Sequence, residues 1–267
     1  MEFSFDEWKG LKNHCEENGL EFISSPFSIE AVNLLEKLDV KRYKIGSGEV
    51  TNLLMIEKLA KINKPIMISS GMSSYKEIDN AVRLIKNYNG KIDCIFQCVS
   101  SYPSDPSSWG LNNIDELKKK YPKIPIGFSD HSGDIYACLA AVTLGVTVLE
   151  FHTVFDKQMF GPDSKSSLTI NEIKKLIDGA NKIKESLDNP INKDNYVSKY
   201  SKLKNIFEKS ICVNKEMKPG DIISFDDLDS KKPRGQGINI IEYKKVIGKK
   251  IKIKKEAFSF LKKEDIE

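Results

Sequence analysis

The sequence is poor in the groups that most often bind metals or cross-link chains: 3 histidines and 5 cysteines among 267 residues, with no CxxC pair and no HExxH. An odd set of cysteines (Cys15, Cys94, Cys98, Cys138 and Cys212) argues against a disulfide framework and for reduced, structural thiols in a cytoplasmic protein. Neither GxGxxG nor GxxxxGK followed by Ser or Thr occurs, which removes the usual sign of a dinucleotide or nucleoside triphosphate site. Met1 is followed by acidic and aromatic residues instead of a basic-then-apolar leader, so no signal peptide is expected. The longest apolar run, Ile135 to Leu149, falls short of the roughly 20 residues of a membrane span. It is broken by Thr143, Gly145 and Thr147, and reads as a buried helix followed by a strand. Charge of one sign is also missing. With 42 basic against 38 acidic residues, the net charge of +4 implies neither a nucleic-acid nor a membrane partner.

What is present is a rhythm. Short apolar or β-branched runs alternate with polar loops and helix-period segments. Strands are expected at 21–24 (EFIS), 43–46 (YKIG), 66–69 (IMIS), 94–98 (CIFQC), 126–129 (IGFS) and 148–151 (VLEF). Helix starts are marked by Ser4 with Glu7, where Phe3 and Trp8 form a staple, by Ser74 with Glu77, and by Thr169 with Glu172. Strands alternating with helices predict a parallel sheet, and nearly continuous apolar strands predict burial on both faces. Polar residues collect where the strands end, as they do at the rim of a (β/α)₈ barrel. A TIM barrel is therefore expected for residues 1–187, although only six βα strands can be counted and the sequence opens on a helix.

Residues 188–205 are polar, contain Pro190 and lack an apolar period, and so read as a linker. Residues 206–267 carry KSICV, KPGDIIS, KKPRGQGI and KVIGKKIKIKK, which suggest a small β-rich module. The lysines from Lys244 to Lys255 alternate with Val246, Ile247, Ile251 and Ile253, the pattern of a solvated strand face.

Two of the three histidines, His131 in GFSDHSGD and His152 in VLEFHTVFD, follow apolar runs at matched positions. If those runs are neighbouring parallel strands, both imidazoles project from one rim. There they could hold a divalent metal with positions left open for water and substrate. Core or cap histidines are the plainer alternative. Lys44 lies inside the run YKIGS, where a buried ammonium needs an anion, a Schiff-base role or an outward snorkelling path. Ser69, Ser70 and Gly71 form a turn of the kind that wraps an oxyanion. Tyr102, before Pro103, could stack on a sugar or simply pack its loop. Asp163 sits in a Gly-Pro turn.

Taken together, SSPF (24–27), KIGSGE (44–49), SSGM (69–72), SSYP (100–103), GFSDHS (127–132), LEFH (149–152) and GPDSKSSL (161–168) resemble the sialic acid synthase family. The tail with KPGD, KKPRGQGI and VIGKK is similar to that family's C-terminal antifreeze-like (SAF) domain. The resemblance implies a metal-dependent condensation of phosphoenolpyruvate with an N-acetylhexosamine, such as N-acetylmannosamine, to a nine-carbon 2-keto sugar acid and phosphate. It implies His131 and His152 as ligands of Mn²⁺ or Mg²⁺. Lys44, Ser47, Ser70 and Ser129 become binders of phosphoenolpyruvate, Ser100 is a further substrate-binding residue, and Tyr102 and Asp163 fall where the family contacts the hexosamine. It also implies a domain-swapped homodimer, in which Lys232 or Arg234 reaches the partner's sugar site.

The resemblance has gaps. Family members usually carry a basic residue before the second histidine and an aromatic after it, where Phe151 and Thr153 stand. The family's first two strands, with EIGxNHxG and KFQ, have no counterpart. A barrel lacking its first two strands is therefore expected, from a truncated or split synthase. The alternatives are a non-catalytic partner of a full-length synthase, or another metal-dependent barrel such as an aldolase or isomerase.

Overall fold

Ser4 caps the first helix as its spacing from Glu7 predicts. Its hydroxyl accepts from the Glu7 amide, and the Glu7 carboxylate accepts from the Ser4 amide, opening α1 (Phe5–Glu17). Phe3 meets Trp8 edge to face at 5.3 Å, the staple expected from the sequence. The computed structural model describes residues 3–267. They divide into two units, one ending at Asn189 and the other spanning Pro190–Glu267.

In the first unit, α2 (Ile29–Lys37) leads to β1 (Tyr43–Ile45), α3 (Leu53–Ile62), β2 (Ile66–Ser69), α4 (Tyr75–Asn87) and β3 (Ile92–Cys98). There follow α5 (Asn112–Lys120), β4 (Ile126–Asp130), α6 (Tyr136–Thr143), β5 (Val148–Val154), β6 (Ser167–Thr169) and α7 (Ile170–Asp188). The six strands pair in parallel in chain order, β1 to β6.

Alternate residues along each strand separate two apolar layers. Ile45, Ile66, Ile68, Ile95, Ile126 and Phe128 bury against helix residues such as Ile56, Leu59, Ile78, Ile85, Leu117 and Ala141. Each such large side chain is worth ~1.5–3 kcal/mol on burial. Met67, Cys94 and Phe96 point the other way and pack with Val148 into a small inner cluster. Above that cluster the inner positions turn polar. Lys44 on β1 lies 2.7 Å from Glu150 on β5. Four flat inter-strand steps would separate those strands by ~19 Å, so the sheet must curl to bring them together. This curl, with helices on the outer face, makes the unit a partial TIM-barrel-like α/β fold.

Six strands are counted, as expected, but not the expected six. Residues 21–24 form no strand; only Ser24 bridges Tyr43. With β1 on one side and no strand among the described residues on the other, that segment gains one weak rung and no ladder. The sixth strand is Ser167–Thr169, immediately before the Thr169 cap of α7, so His152 lies on the fifth strand and not the last.

The second unit adds detail to one expectation and corrects another. The stretch read as a linker contains α8 (Lys193–Tyr196), a 3₁₀ turn at Val197–Tyr200, and α9 (Ser201–Phe207). Beyond it, β7 (Ser210–Val213) pairs antiparallel with β8 (Leu228–Lys231). The lysine-rich run is not a strand: Ile240–Lys245 is 3₁₀, and Lys250, Ile251 and Lys255 make only isolated bridges. These still enclose a core of Ile211, Val213, Met217, Ile223, Ile238, Val246, Ile251 and Leu261. All five cysteines are free. No helix among the described residues is long and apolar enough to cross a membrane.

Candidate active site at the carboxyl rim of the parallel strands

Three rings meet above the inner face. His131, just past β4, and His152, near the end of β5, have ring centroids 5.1 Å apart. Tyr102, from the loop after β3, lies 4.1 Å from His131 and 5.8 Å from His152. The two histidines come together because β4 and β5 are adjacent parallel strands, so equivalent positions past the same row of hydrogen bonds share one rim.

His131 is buried, and its Nδ1 lies 2.7 Å from the Val99 carbonyl oxygen. A carbonyl only accepts, so Nδ1 carries the proton and Nε2 keeps its lone pair. His152 is held below the ordinary imidazole pKa, first by burial and then by His131, against the opposing pull of Asp163 and Glu150. Both effects favour a neutral ring, the form that donates to a metal. Asp163 Oδ2 stands 3.9 Å from His152 Nδ1, too far for a direct hydrogen bond.

Below the rings lies a charged layer. Glu150 Oε1 accepts from Lys44 Nζ and from Ser129 Oγ, each at 2.7 Å. Lys44 also sits 5.6 Å over the Phe96 ring, at the top of the inner apolar cluster. A cavity of about 430 Å³ opens here, bordered by Ser24, Ser25, Lys44, Met67, Phe96 and Glu150. The half-buried lysine therefore does meet an anion, and it belongs to the chain itself.

To one side, three loops converge. Ser100 Oγ donates to Ser47 Oγ at 3.1 Å. Gly71, at φ +39°, lies so close that a Cβ there would fall 2.0 Å from Ser47 Cβ and 2.9 Å from Ser100 Oγ. Only glycine permits that approach, and it brings the neighbouring buried Ser70 toward the same pair. Lys232 and Arg234 belong to the second unit, where Arg234 is paired with Glu208 at 2.7 Å and Lys232 lies 4.8 Å over Phe207.

Sequence reasoning gathered His131, His152, Tyr102, Asp163, Lys44, Ser129, Ser47, Ser70 and Ser100, and missed Glu150. The signal was available. A glutamate inside the run VLEFH is as costly to bury as Lys44, and it stands two residues before His152, on the same face of β5.

Among the described residues no group of three or more His, Cys, Asp or Glu side chains is placed to share one metal ion. The histidine pair fits a divalent cation that draws its other ligands from water and substrate. Two neutral imidazoles from adjacent strands would donate to a divalent first-row cation, and a two-ligand site would bind it exchangeably.

Comparison with known proteins follows the same lines. Residues 1–192 match the NeuB family. The N,N'-diacetyllegionaminic acid synthase of Campylobacter jejuni is 36% identical over 251 residues, covering 93% of this chain and 74% of the relative. Human N-acetylneuraminate-9-phosphate synthase is 33% identical, covering 94% and 69%. Among solved structures, an N-acetylneuraminic acid (sialic acid) synthetase from Leptospira borgpetersenii, in complex with citrate, superposes with a TM-score of 0.70 at 30% identity. That match covers 75% of this chain and 71% of the neighbour.

Proposed function

The chain belongs to the NeuB family, and from that premise we propose that it is a nonulosonic acid synthase, condensing phosphoenolpyruvate with an N-acetylhexosamine to a nine-carbon 2-keto sugar acid and phosphate. The observation that carries this reading is the stacking of two layers on one curled face: a lysine and serine clamp below, and a pair of imidazoles with a tyrosine above.

Lys44 and the hydroxyls of Ser47, Ser70, Ser100 and Ser129 bind the phosphate and carboxylate of phosphoenolpyruvate, because an ammonium and short hydroxyl donors suit a small polyanion. Tyr102 and Asp163 orient the open-chain hexosamine beside the histidines. His131 Nε2 and the His152 ring hold a divalent cation, Mn²⁺ or Mg²⁺, which when bound supplies Lewis-acid polarisation of the sugar aldehyde. The C2–C3 π pair of phosphoenolpyruvate forms the new bond from C3 to the aldehyde carbon as the C=O π pair moves to oxygen; water adds to the resulting C2 cation, and its proton ends on that oxygen. Phosphate then leaves with C–O cleavage. The clamp's part is to hold the enol phosphate at one distance and angle from the aldehyde throughout. The second unit, on this reading, is an SAF-like module of a swapped homodimer, with Lys232 or Arg234 reaching the partner's sugar.

One observation favours a second reading. Among the described residues, edge strands β1 and β6 pair with no strand beyond them, apart from the single bridge at Ser24. The chain would then be the non-catalytic partner of a full-length synthase. Phosphate release separates the two readings. Turnover that requires phosphoenolpyruvate, N-acetylmannosamine or a related N-acetylhexosamine, and Mn²⁺ supports the synthase. Binding of phosphoenolpyruvate without turnover, together with co-sedimentation with a full-length relative, supports the partner.

A further inference from the structure

Glu150 occupies the groups assigned to the incoming anion. Its Oε1 takes the Ser129 hydroxyl proton and one ammonium proton of Lys44, each over 2.7 Å. A hydroxyl has one proton to give. While Ser129 donates to Glu150 it can only accept, so it cannot bind a phosphate or carboxylate oxygen. Among the described residues Lys44 has no other protein acceptor and Glu150 Oε2 no protein donor. The carboxylate is therefore tied at one oxygen to a Lys–Ser pair, beside an open cavity of about 430 Å³ into which it can turn. Its side chain is 34% exposed, so swinging out of the clamp returns it to a partly wet position and not to an apolar one.

A purely structural ion pair would serve the curl of the sheet equally well without Ser129. The hydroxyl adds nothing to a β1–β5 tether, because Ser129 is already fixed beside Glu150 by the β4–β5 ladder. What the arrangement reproduces is half of an anion site, with the protein supplying the anion.

Resting on the reading of Lys44 and Ser129 as the substrate clamp, we infer that Glu150 is a built-in competitor that keeps the clamp closed to monoanions and yields it to phosphate-bearing dianions and trianions. A monoanion that displaces Glu150 exchanges one carboxylate-like contact for another, and it competes with a group tethered at high effective concentration. A phosphate ester brings a second negative charge to the same ammonium and more acceptor oxygens to the freed hydroxyls, so it gains where the monoanion breaks even. Glu150 thus acts as a specificity-determining residue through Lys44 and Ser129, without contributing to the bonds that change.

The test is anion binding by calorimetry to the full chain and its variants, with inorganic phosphate at mildly alkaline pH as the dianion and acetate as the monoanion. Glu150→Gln keeps the shape and removes the charge; Glu150→Ala removes both. The expected result is that both variants bind acetate about tenfold tighter, and that the preference for phosphate over acetate narrows by a similar factor. A residue that only tethered strands would not tighten any ligand when removed. Unchanged or weaker acetate binding in both variants, alongside a Lys44→Met variant that loses phosphate binding, overturns the competitor role and leaves the clamp standing. Unchanged phosphate binding in Lys44→Met overturns the clamp and the inference together.

Discussion

Lys44 Nζ and Glu150 Oε1 lie 2.7 Å apart although their strands, β1 and β5, are separated by three others. That one pair reports the curvature of the sheet and sets the floor of the site. Neutralising one partner acts on both. Lys44→Met leaves the Glu150 carboxylate without its cation, and because Glu150 keeps access to water the stability cost is modest, about 1 kcal/mol. The binding cost is larger: losing a charge-assisted donor to phosphoenolpyruvate removes ~1.5–3 kcal/mol. Urea denaturation and calorimetry of the same variant should show a small shift in midpoint and a ten- to hundredfold loss of affinity on that scale.

Removal of either imidazole should abolish Mn²⁺ binding. Among the described residues the site offers the two imidazoles as ligands, and Nε2 of His131 is held ready by the Val99 carbonyl. His131→Ala and His152→Ala should each release the ion, read as recovery of the free-aquo Mn²⁺ electron paramagnetic resonance signal. Circular dichroism should be unchanged for His152→Ala, whose ring is half-buried.

Tyr102 lies against His131 at 4.1 Å with the rings tilted by 37°, and its phenol makes no protein hydrogen bond among the described residues. Two variants therefore separate its roles. Tyr102→Phe retains the ring and should raise KM for the hexosamine while sparing Mn²⁺ affinity. Tyr102→Ala uncovers the imidazole and should weaken both.

In the second unit, Asp265 is buried, pairs with Lys255 at 2.7 Å and accepts from the Lys262 amide at 2.8 Å. Truncation strands a buried ammonium and an amide, so Asp265→Ala should destabilise this unit by ~3–5 kcal/mol. Hydrogen exchange at Ile211, Val213 and Leu261 should accelerate, while the amides of β2 to β4 keep their protection.

The strands from β1 to β5 were legible because an apolar run flanked by turn residues is sufficient signal for a buried parallel strand, and the caps at Ser4, Ser74 and Thr169 fixed helix starts to the residue. Residues 21–24 have the composition of a strand and lack a second neighbour, a property of the sheet and not of the segment. Ser167–Thr169 has the reverse problem: three residues, two of them hydroxylic, run straight into a helix cap and look like a turn. The histidine pair was readable because β4 and β5 are consecutive. Glu150 could be marked as a costly charge inside VLEFH but not paired, since its partner lies 106 residues away on a strand that only curvature brings near.

The most direct test is a phosphorus NMR time course of the full chain with phosphoenolpyruvate, Mn²⁺ and an N-acetylhexosamine, with mass spectrometry of the products. A synthase predicts inorganic phosphate and a nine-carbon keto acid appearing together, only when both substrates are present, and neither with His152→Ala. Phosphoenolpyruvate that stays intact in every mixture, or phosphate released without the sugar acid, would contradict it.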